Sequence, residues 1–201
     1  MLKQNLMQIV SSFFNTFHSL SNAIQQAIDA NCSTIQFEQN DNIDIIGKTP
    51  EHFLLIKSGV IKSIYRVSTR TIITGFKGPG DPLFHVGSLF ENTVAREGFK
   101  VVKPTEAVAL PYKVIQDIYL KYPEFLNHLL KLVDIKLLDL QRHAQMLTET
   151  ADRRIFTCAK HFSHILSEIP KQQLAQFLCI SRTTFYLYEK ILYLNGNSNI
   201  C

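Results

Sequence analysis

Cysteine is scarce in this chain of 201 residues, and its four cysteines stand far apart. They form no C-x-x-C pair and no closely spaced run; they are Cys32, Cys158, Cys179 and Cys201. Disulfide frameworks and iron–sulfur sites both need such spacings. We therefore exclude both kinds of site and expect the reduced thiols of an intracellular protein.

Long hydrophobic runs are also missing. The apolar residues near the N-terminus are interrupted by Gln, Asn and Ser, and no small-residue cleavage site follows them. A bilayer span needs about twenty consecutive apolar residues, and a secretory signal needs a continuous apolar core before its cleavage site. The sequence therefore predicts no membrane association and a cytoplasmic location.

Neither sign of charge dominates the composition. The formal net charge is +4, with 46% hydrophobic and 19% charged residues. These values are typical of an ordinary globular chain that forms one large domain or two small ones. The mild basic excess permits binding to nucleic acid without arguing for it.

Motifs of catalysis are absent too. The chain has no nucleophile elbow, phosphate loop or dinucleotide fingerprint, and Gly78-Pro79-Gly80 is better interpreted as a turn. Cys158, His161 and His164 recur every three residues but lack a fourth metal ligand. We expect no enzyme, no metal and no cofactor.

Hydrophobic periodicity divides the first half of the chain into two parts. Residues 5–30 have helical spacing, with a second piece capped by Ser19 or Ser21. From Cys32 to about Leu110 the period is two, which is typical of a β-barrel or jelly roll. The expected strands are 34–37, 42–46, 53–56, 60–67, 71–76, 99–102 and 107–110. The expected turns are 47–50, 57–59, 78–82 and 103–104.

Residues 114–147 return to helical spacing. Seven apolar side chains repeat there at alternating steps of four and three residues, as in the seam of a coiled coil. They are Leu126, Leu130, Val133, Leu137, Leu140, Ala144 and Leu147. We interpret this seam as a parallel dimer contact. A second apolar set could face the β part: Leu129, Leu132, Ile135 and Leu138. Packing of both sides within one chain stays open.

The segment 169–192 reads as two short helices around a tight turn. A further helix over about 151–167, capped by Thr148 or Thr150, leads into it. Pro170 suits a helix start and Ser181 suits an N-cap. The residues expected to face the partner helix are Leu174, Phe177, Leu178, Phe185, Tyr188 and Leu192.

The second short helix has an outward face that is basic and rich in hydroxyl groups. Its expected members are Arg182, Thr183, Tyr186, Leu187 and Lys190. Such a helix fits the major groove of DNA, and the whole segment is typical of a helix-turn-helix. The alternative is an ordinary packed helical hairpin. Beyond it, the tail 195–199 is expected to be loose.

This order of elements resembles the Crp/Fnr family of bacterial transcription regulators over residues 20–192. The most specific likeness is to family members that bind cyclic AMP, and it rests on Ile169, Gln172, Ala175, Gln176, Ser181, Arg182 and Thr184. The resemblance implies an α+β fold in three parts. Residues 1–111 would form helices and a cyclic-nucleotide-binding-like barrel, 112–147 the long dimerisation helix, and 148–201 the helix-turn-helix domain.

The resemblance also implies the partners. A homodimer would place two recognition helices about 34 Å apart in successive major grooves of near-palindromic double-stranded DNA. RNA polymerase would be a further partner. The positions toward the bases would be Arg182, Thr183 and Leu187, with Arg182 reading guanine. Phosphate contacts would come from Lys171, Ser181, Thr184 and Lys190, and Gln172 and Tyr186 complete the DNA-binding set.

The implied effector pocket departs from that of cyclic-nucleotide binders. Their Gly-Glu-Leu turn is replaced by Phe84-His85-Val86, and their Arg-Ser pair by Arg96-Glu97. Asp139 stands where polar contacts to adenine are expected, and Glu97 would repel a phosphate and neutralise Arg96. We therefore expect an unknown small-molecule effector other than cyclic AMP near His85, Arg96, Glu97 and Asp139.

Two other functions stay open. The modest charge, and the absence of a winged hairpin after Leu192, favour a small-molecule sensor or protein-interaction module without DNA binding. A barrel that contains His52 and His85 could also be a cupin-like metalloenzyme. That site needs a His-x-His pair, which the chain lacks.

Overall fold

Two helices begin the part of the chain that the structure describes. The computed structural model describes the backbone of residues 2–190 and the side chains of residues 8–190. Helix α1 spans Leu2–Asn15 and helix α2 spans Asn22–Asn31. The Ser21 hydroxyl accepts a hydrogen bond from the backbone N–H of Ile24 at 3.5 Å, which confirms the predicted cap at Ser21.

An antiparallel sheet follows. The described residues contain six strands: β1 (Ser33–Phe37), β2 (Asn42–Asp44), β3 (His52–Val67), β4 (Arg70–Lys77), β5 (Pro82–Leu83) and β6 (Glu97–Pro111). The order in the sheet is β1-β6-β3-β4, with β2 also paired to β6 and β5 to β3. A short helix, α3 (Val86–Phe90), connects β5 to β6. The expected α+β class is confirmed.

Strands β3 and β6 differ from the prediction. The sequence predicts turns at 57–59 and 103–104, but each strand continues through its turn as one element. The register between them shifts at Ser58 and Val60, so the extra residues form bulges in the ladder. Gly59 has φ +91°, and a side chain there would overlap the carbonyl oxygen of Pro104. Turn-forming residues therefore bend the strands instead of ending them.

The helix predicted over 114–147 is two helices. Helix α4 spans Tyr112–Lys121 and helix α5 spans Leu126–Leu147, and a 3₁₀ turn over Pro123–Phe125 separates them. Proline has no N–H to donate to a preceding carbonyl, so the helical ladder is interrupted there. Helix α5 contains the entire predicted seam.

The C-terminal segment contains three further helices within the described residues. Helix α6 (Ala151–His161) begins after Thr150, as predicted, but ends six residues before the predicted 167. Helices α7 (Lys171–Phe177) and α8 (Arg182–Tyr188) follow. Leu192 and the tail 195–199 lie outside the described residues. No helix in the described part of the chain is long and apolar enough to cross a bilayer.

Three hydrophobic clusters hold these elements together. The first joins α1, α2, α4 and the start of α5 to the sheet, and Phe14 lies 5.5 Å from Phe53 and 5.2 Å from Phe125, between ring centroids. The second lies among β3, β5 and β6 around Ile56 and Phe99. Both sides of the sheet are therefore buried within this chain.

The third cluster joins the helix-turn-helix segment to the sheet. The ring of Phe76 in β4 lies 5.7 Å from Phe162 and 5.6 Å from Phe177. After β4, a side chain on Gly78 would overlap Ile165, so glycine permits a close approach here. The C-terminal helices consequently pack directly on β4 of the same chain.

Candidate nucleic-acid interface and effector site

The turn between α7 and α8 is closed by local hydrogen bonds. Ser181 is the N-cap of α8, and its hydroxyl accepts from the Thr184 backbone N–H at 3.0 Å. The backbone N–H of Ile180 donates to the Ala175 carbonyl at 3.1 Å. Cys179 has φ +53°, a conformation that favours glycine. These contacts fix the direction in which α8 leaves the turn.

The buried faces of the two helices agree with the predicted pattern, with one exception. The buried side chains are Leu174, Ala175, Phe177, Leu178 and Phe185. Tyr188, which the spacing placed against α7, is 36% exposed. The predicted inward position of Tyr188 is wrong. Phe185 is the buried aromatic side chain of α8, whereas Tyr188 is the last residue of that helix.

The opposite side of α8 is open to solvent. We call Arg182, Thr183, Tyr186, Leu187 and Lys190 the recognition surface, and all five are exposed. Leu187 is 70% exposed, so its side chain is open to contact from outside the chain. The outward direction of this face is as predicted, and its contact with DNA stays a prediction.

The flanking residues that were predicted to bind DNA phosphates have protein partners as well. Lys171 Nζ lies 2.7 Å from Glu189 Oε2, so a carboxylate neutralises this lysine. The Thr184 hydroxyl lies 2.8 Å from that of Ser181. Gln172 is exposed. Lys171 must therefore leave Glu189 before it could hold a phosphate.

Arg154 in α6 connects the long helix to the helix-turn-helix. Its guanidinium donates to the carbonyl oxygens of Leu147 at 2.7 Å, Glu149 at 2.9 Å and Leu178 at 3.0 Å. These acceptors lie at the end of α5, in the linker and at the end of α7. This role was not predicted from the sequence, because arginine is mostly found exposed at protein surfaces.

His143 makes a second connection between the same helices. Its Nε2–H donates to the Phe177 carbonyl at 3.2 Å, and the two rings stack at 4.5 Å between centroids. Burial lowers the pKa of His143, and the hydrogen bond to Phe177 opposes that shift. His143 therefore joins α5 to the end of α7 by a hydrogen bond and a ring contact.

The four residues predicted to form an effector pocket lie in different surroundings. His85 is buried, and its Nε2 lies 2.9 Å from Asp44 Oδ2. Glu97 forms an ion pair with Lys136 of α5, and Asp139 forms one with Lys77 at 2.6 Å. Arg96 is exposed.

The expectation that Glu97 neutralises Arg96 is therefore wrong. The Glu97 carboxylate pairs with Lys136 of α5, whereas Arg96 lies in the bend before β6 and its side chain is exposed. Arg96 consequently does not line a common pocket with His85, Glu97 and Asp139.

Little space remains between the sheet and α5 at this place. The cavity bordered by Phe84, Phe99, Ile135, Lys136 and Asp139 has a volume of about 10 Å³. That is close to the minimum for a single water molecule, whereas ligand pockets usually measure roughly 300–1,000 Å³. A nucleotide would have to break both ion pairs to enter.

The predicted seam of α5 is largely exposed in the single chain. Leu130 is 60% exposed, Leu137 is 59% exposed, and Leu126, Leu140 and Ala144 are exposed as well. Val133 and Leu147 are half-buried. Among residues 8–190, no side chain therefore covers most of the seam.

The second apolar set on α5 only partly faces the sheet. Leu129 and Leu132 are buried and Ile135 is half-buried, as expected, but Leu138 is 40% exposed. The prediction is wrong for Leu138, because α5 extends past the end of the apolar sheet face that covers its first turns.

The residues considered for a metal do not converge. Cys158 is buried, whereas His161 and His164 are exposed. Among the described side chains, no group of three or more His, Cys, Asp or Glu is placed to hold a metal ion.

Comparison with known proteins identifies the architecture. No family model and no curated protein matches the chain. Solved structures do match. FixK2 from Bradyrhizobium japonicum is 15% identical with a TM-score of 0.72, covering 82% of this chain and 86% of FixK2.

Two other structures agree with this match. CLP from Xanthomonas campestris, a c-di-GMP-responsive global regulator, is 18% identical with a TM-score of 0.63 and covers 88% of this chain and 93% of its own. A protein from Eubacterium rectale is described as a transcriptional regulator of the Crp/Fnr family. It is 15% identical with a TM-score of 0.68, and the match covers 92% of this chain and 89% of the Eubacterium rectale protein. This chain therefore has the Crp/Fnr fold, a cyclic-nucleotide-binding-like β part joined by a long helix to a helix-turn-helix.

Proposed function

We propose that this protein is a homodimeric, sequence-specific DNA-binding transcription regulator that acts in the cytoplasm on a near-palindromic operator. The observation that carries the proposal is the recognition surface: four side chains of α8, and Lys190 just beyond it, are exposed while Phe185 is buried on the opposite side of the helix. CLP and the Eubacterium rectale protein are described as regulators, which supports the same role. RNA polymerase is a partner that this role would require.

Arg182 is the residue that we assign to base recognition. It is exposed in the first turn of α8, next to the N-cap. The N-terminal end of a recognition helix is the part that reaches base edges, and arginine can donate to guanine O6 and N7 together. Thr183 and Leu187 border it, and a leucine can contact the methyl group of thymine.

Lys190 and the hydroxyl groups near the turn would hold the DNA backbone. Lys190 is exposed at the far end of the recognition surface. Ser181 and Thr184 lie at the start of α8, where hydroxyl groups can donate to phosphate oxygens. Lys171 would exchange Glu189 for a phosphate, so its net contribution would be smaller than that of Lys190.

The exposed seam of α5 supports the homodimer. Two copies of the seam would bury Leu130, Leu137 and Leu140 against one another, as in a coiled coil. A twofold axis along paired α5 helices would then present two recognition surfaces to the DNA.

The effector is proposed to differ from cyclic AMP. The small space between the sheet and α5, and the ion pairs of Lys136 with Glu97 and of Lys77 with Asp139, leave no room for a nucleotide there. Breaking partly buried ion pairs without replacing the partners is unfavourable.

The test begins with DNA selected from a random pool on the purified protein. Fluorescence anisotropy at two salt concentrations then compares the selected operator with random DNA. We expect Arg182→Ala to weaken operator binding about 5- to 150-fold, equal to about 1–3 kcal/mol, with little change on random DNA. Lys190→Ala should weaken both alike and reduce the salt slope by about one.

Arg153→Ala is the matched control, since Arg153 is an exposed arginine of α6 outside the recognition surface. Arg153→Ala should bind both the operator and random DNA as tightly as the unmodified chain does. Equal losses on both DNAs for Arg182→Ala would refute the assigned role of Arg182. Failure to select any DNA would instead favour a sensor without DNA binding.

A further inference from the structure

A second cavity lies where the sheet, α5, α6 and α7 meet. Its volume is about 110 Å³. It adjoins the nearly filled space around Phe84 and Ile135, and Ser63, Lys77, Lys136 and Asp139 border both. An apolar cavity of about 150 Å³ in another protein binds benzene, so this space is of the right order for one six-membered ring.

The deep part of the cavity is aromatic. Phe76, Phe162 and Phe177 surround it with edge-to-face contacts of 5.4–5.7 Å between centroids. Met146 and Cys158 complete this apolar wall. Burial raises the pKa of Cys158 to about 12, so its thiol is neutral. Rings that present both edges and faces favour an aromatic guest over an aliphatic one.

Two small residues keep the cavity open on the sheet side. Gly75 in β4 pairs with Ser63 in β3, and both line the cavity. A side chain on Gly75 would meet nothing within 4 Å, and its backbone does not have a positive φ. Glycine inside a strand is unfavourable and often marks the close approach of a ligand. Neither the backbone nor the packing of this chain requires glycine at position 75.

Three cationic side chains lie at the rim of the cavity: Lys77, Lys136 and Arg142. The Asp139 carboxylate is shared by two cations: its oxygens lie 2.6 Å from Lys77 Nζ and 3.9 Å from Arg142 Nη1. Lys136 is occupied by Glu97. Arg142 is 59% exposed, which places it where the cavity meets solvent.

The lining also contains two histidines. Partial desolvation lowers the pKa values of both His143 and His161, while the charges of Asp139 and Asp81 oppose that shift at His161. Arg142, 3.9 Å from Asp139, is therefore the rim cation with the weakest ion pair.

We infer that this cavity binds a small aromatic carboxylate, with its ring among Phe76, Phe162 and Phe177 and its carboxylate at Arg142. Its walls belong to the sheet and to α5, α6 and α7, so an occupant contacts every element that positions the recognition surface. The role as an effector site rests on the proposed function, whereas the binding itself does not. A ligand that fills the cavity would change DNA binding only if it prefers one arrangement of these elements.

The test is a titration of the full chain with 4-fluorobenzoate, followed by ¹⁹F NMR, with 4-fluorobenzyl alcohol as the neutral comparison. We expect saturable binding of the acid and about tenfold weaker binding of the alcohol. Gly75→Val should fill the cavity and weaken the acid at least tenfold. The control Thr71→Val places valine in the same strand outside the cavity and should leave binding within twofold.

Arg142→Gln separates the charge from the ring. This variant should bind 4-fluorobenzoate about tenfold more weakly and bind 4-fluorobenzyl alcohol within twofold of the unmodified chain. Because Arg142 is at the surface, the variant also tests the inference if Gly75→Val does not fold. No saturable binding, equal binding of acid and alcohol, or full binding by both Gly75→Val and Arg142→Gln would each overturn the inference. No DNA is present in the titration, so its outcome is independent of the DNA-binding test.

Discussion

Cys179 is an individual residue held in an unfavourable conformation. Its φ of +53° lies in the left-handed region, where a β-carbon comes too close to the following carbonyl oxygen. The side chain is exposed, so packing does not compensate for this strain. The turn nevertheless forms, because its neighbours Leu178 and Ile180 are held by backbone hydrogen bonds to α7.

Replacing Cys179 by glycine should therefore stabilise the protein. Relief of left-handed strain is worth about 1–2 kcal/mol, and the greater freedom of glycine in the unfolded chain removes about 0.5–1 kcal/mol of that gain. We expect Cys179→Gly to raise the free energy of unfolding in urea by about 0.5–1 kcal/mol. Cys179→Ala, which keeps the β-carbon, is the control and should show no such gain. An unchanged or lower value for the glycine variant would contradict the strain.

Among the secondary-structure elements, the ends of α5 and α7 depend on one side chain of α6. Arg154 donates to three carbonyl oxygens that the helices themselves leave unpaired. Lysine cannot reach three separate acceptors in the same plane. The contact therefore needs the shape of the guanidinium as well as its charge.

We expect Arg154→Lys to lower the free energy of unfolding by about 2 kcal/mol, since hydrogen bonds to charged groups contribute about 1.5–3 kcal/mol and the carbonyls would lose partners. Urea denaturation monitored by circular dichroism measures this change. Arg153→Lys changes the adjacent, exposed arginine and should have little effect. If both variants lose the same stability, Arg154 has no special role at the junction.

In the whole molecule, the uncovered seam of α5 predicts the oligomeric state. Leu137→Glu would place a charge in the middle of the proposed contact, where its burial is unfavourable. We expect sedimentation equilibrium to show a dimer for the unmodified chain and a monomer for this variant. Operator affinity should fall roughly tenfold or more, because the two half-sites would no longer be bound together.

Leu120→Glu is the matched control for the seam. Leu120 is 70% exposed on α4, outside the seam, so the same substitution there should leave the dimer intact. The proposed twofold arrangement would be contradicted if the unmodified chain were a monomer. It would also be contradicted if the Leu137→Glu variant were still a dimer.

The sequence by itself determined the types and order of most elements, the seam of α5 and the buried positions of the helix-turn-helix. Period-two segments predicted the strands, and the steps of four and three predicted the seam of α5. The cap at Ser181 and the apolar positions 174, 177, 178 and 185 predicted the helix-turn-helix. These features depend on neighbours within a few residues, so local periodicity and capping chemistry are enough to reveal them.

Only the tertiary structure decided what fills the space between those elements. At the predicted effector pocket, Lys136 forms an ion pair with Glu97 and Lys77 forms one with Asp139. Arg96 is exposed to solvent. Residues of α5, α6 and α7 meet those of β4 to form the aromatic cavity around Phe76. The partners in these contacts are far apart in the chain, for example 62 positions between Lys77 and Asp139. No local pattern in a single sequence specifies such a pairing, because it depends on how the packed elements are arranged in space.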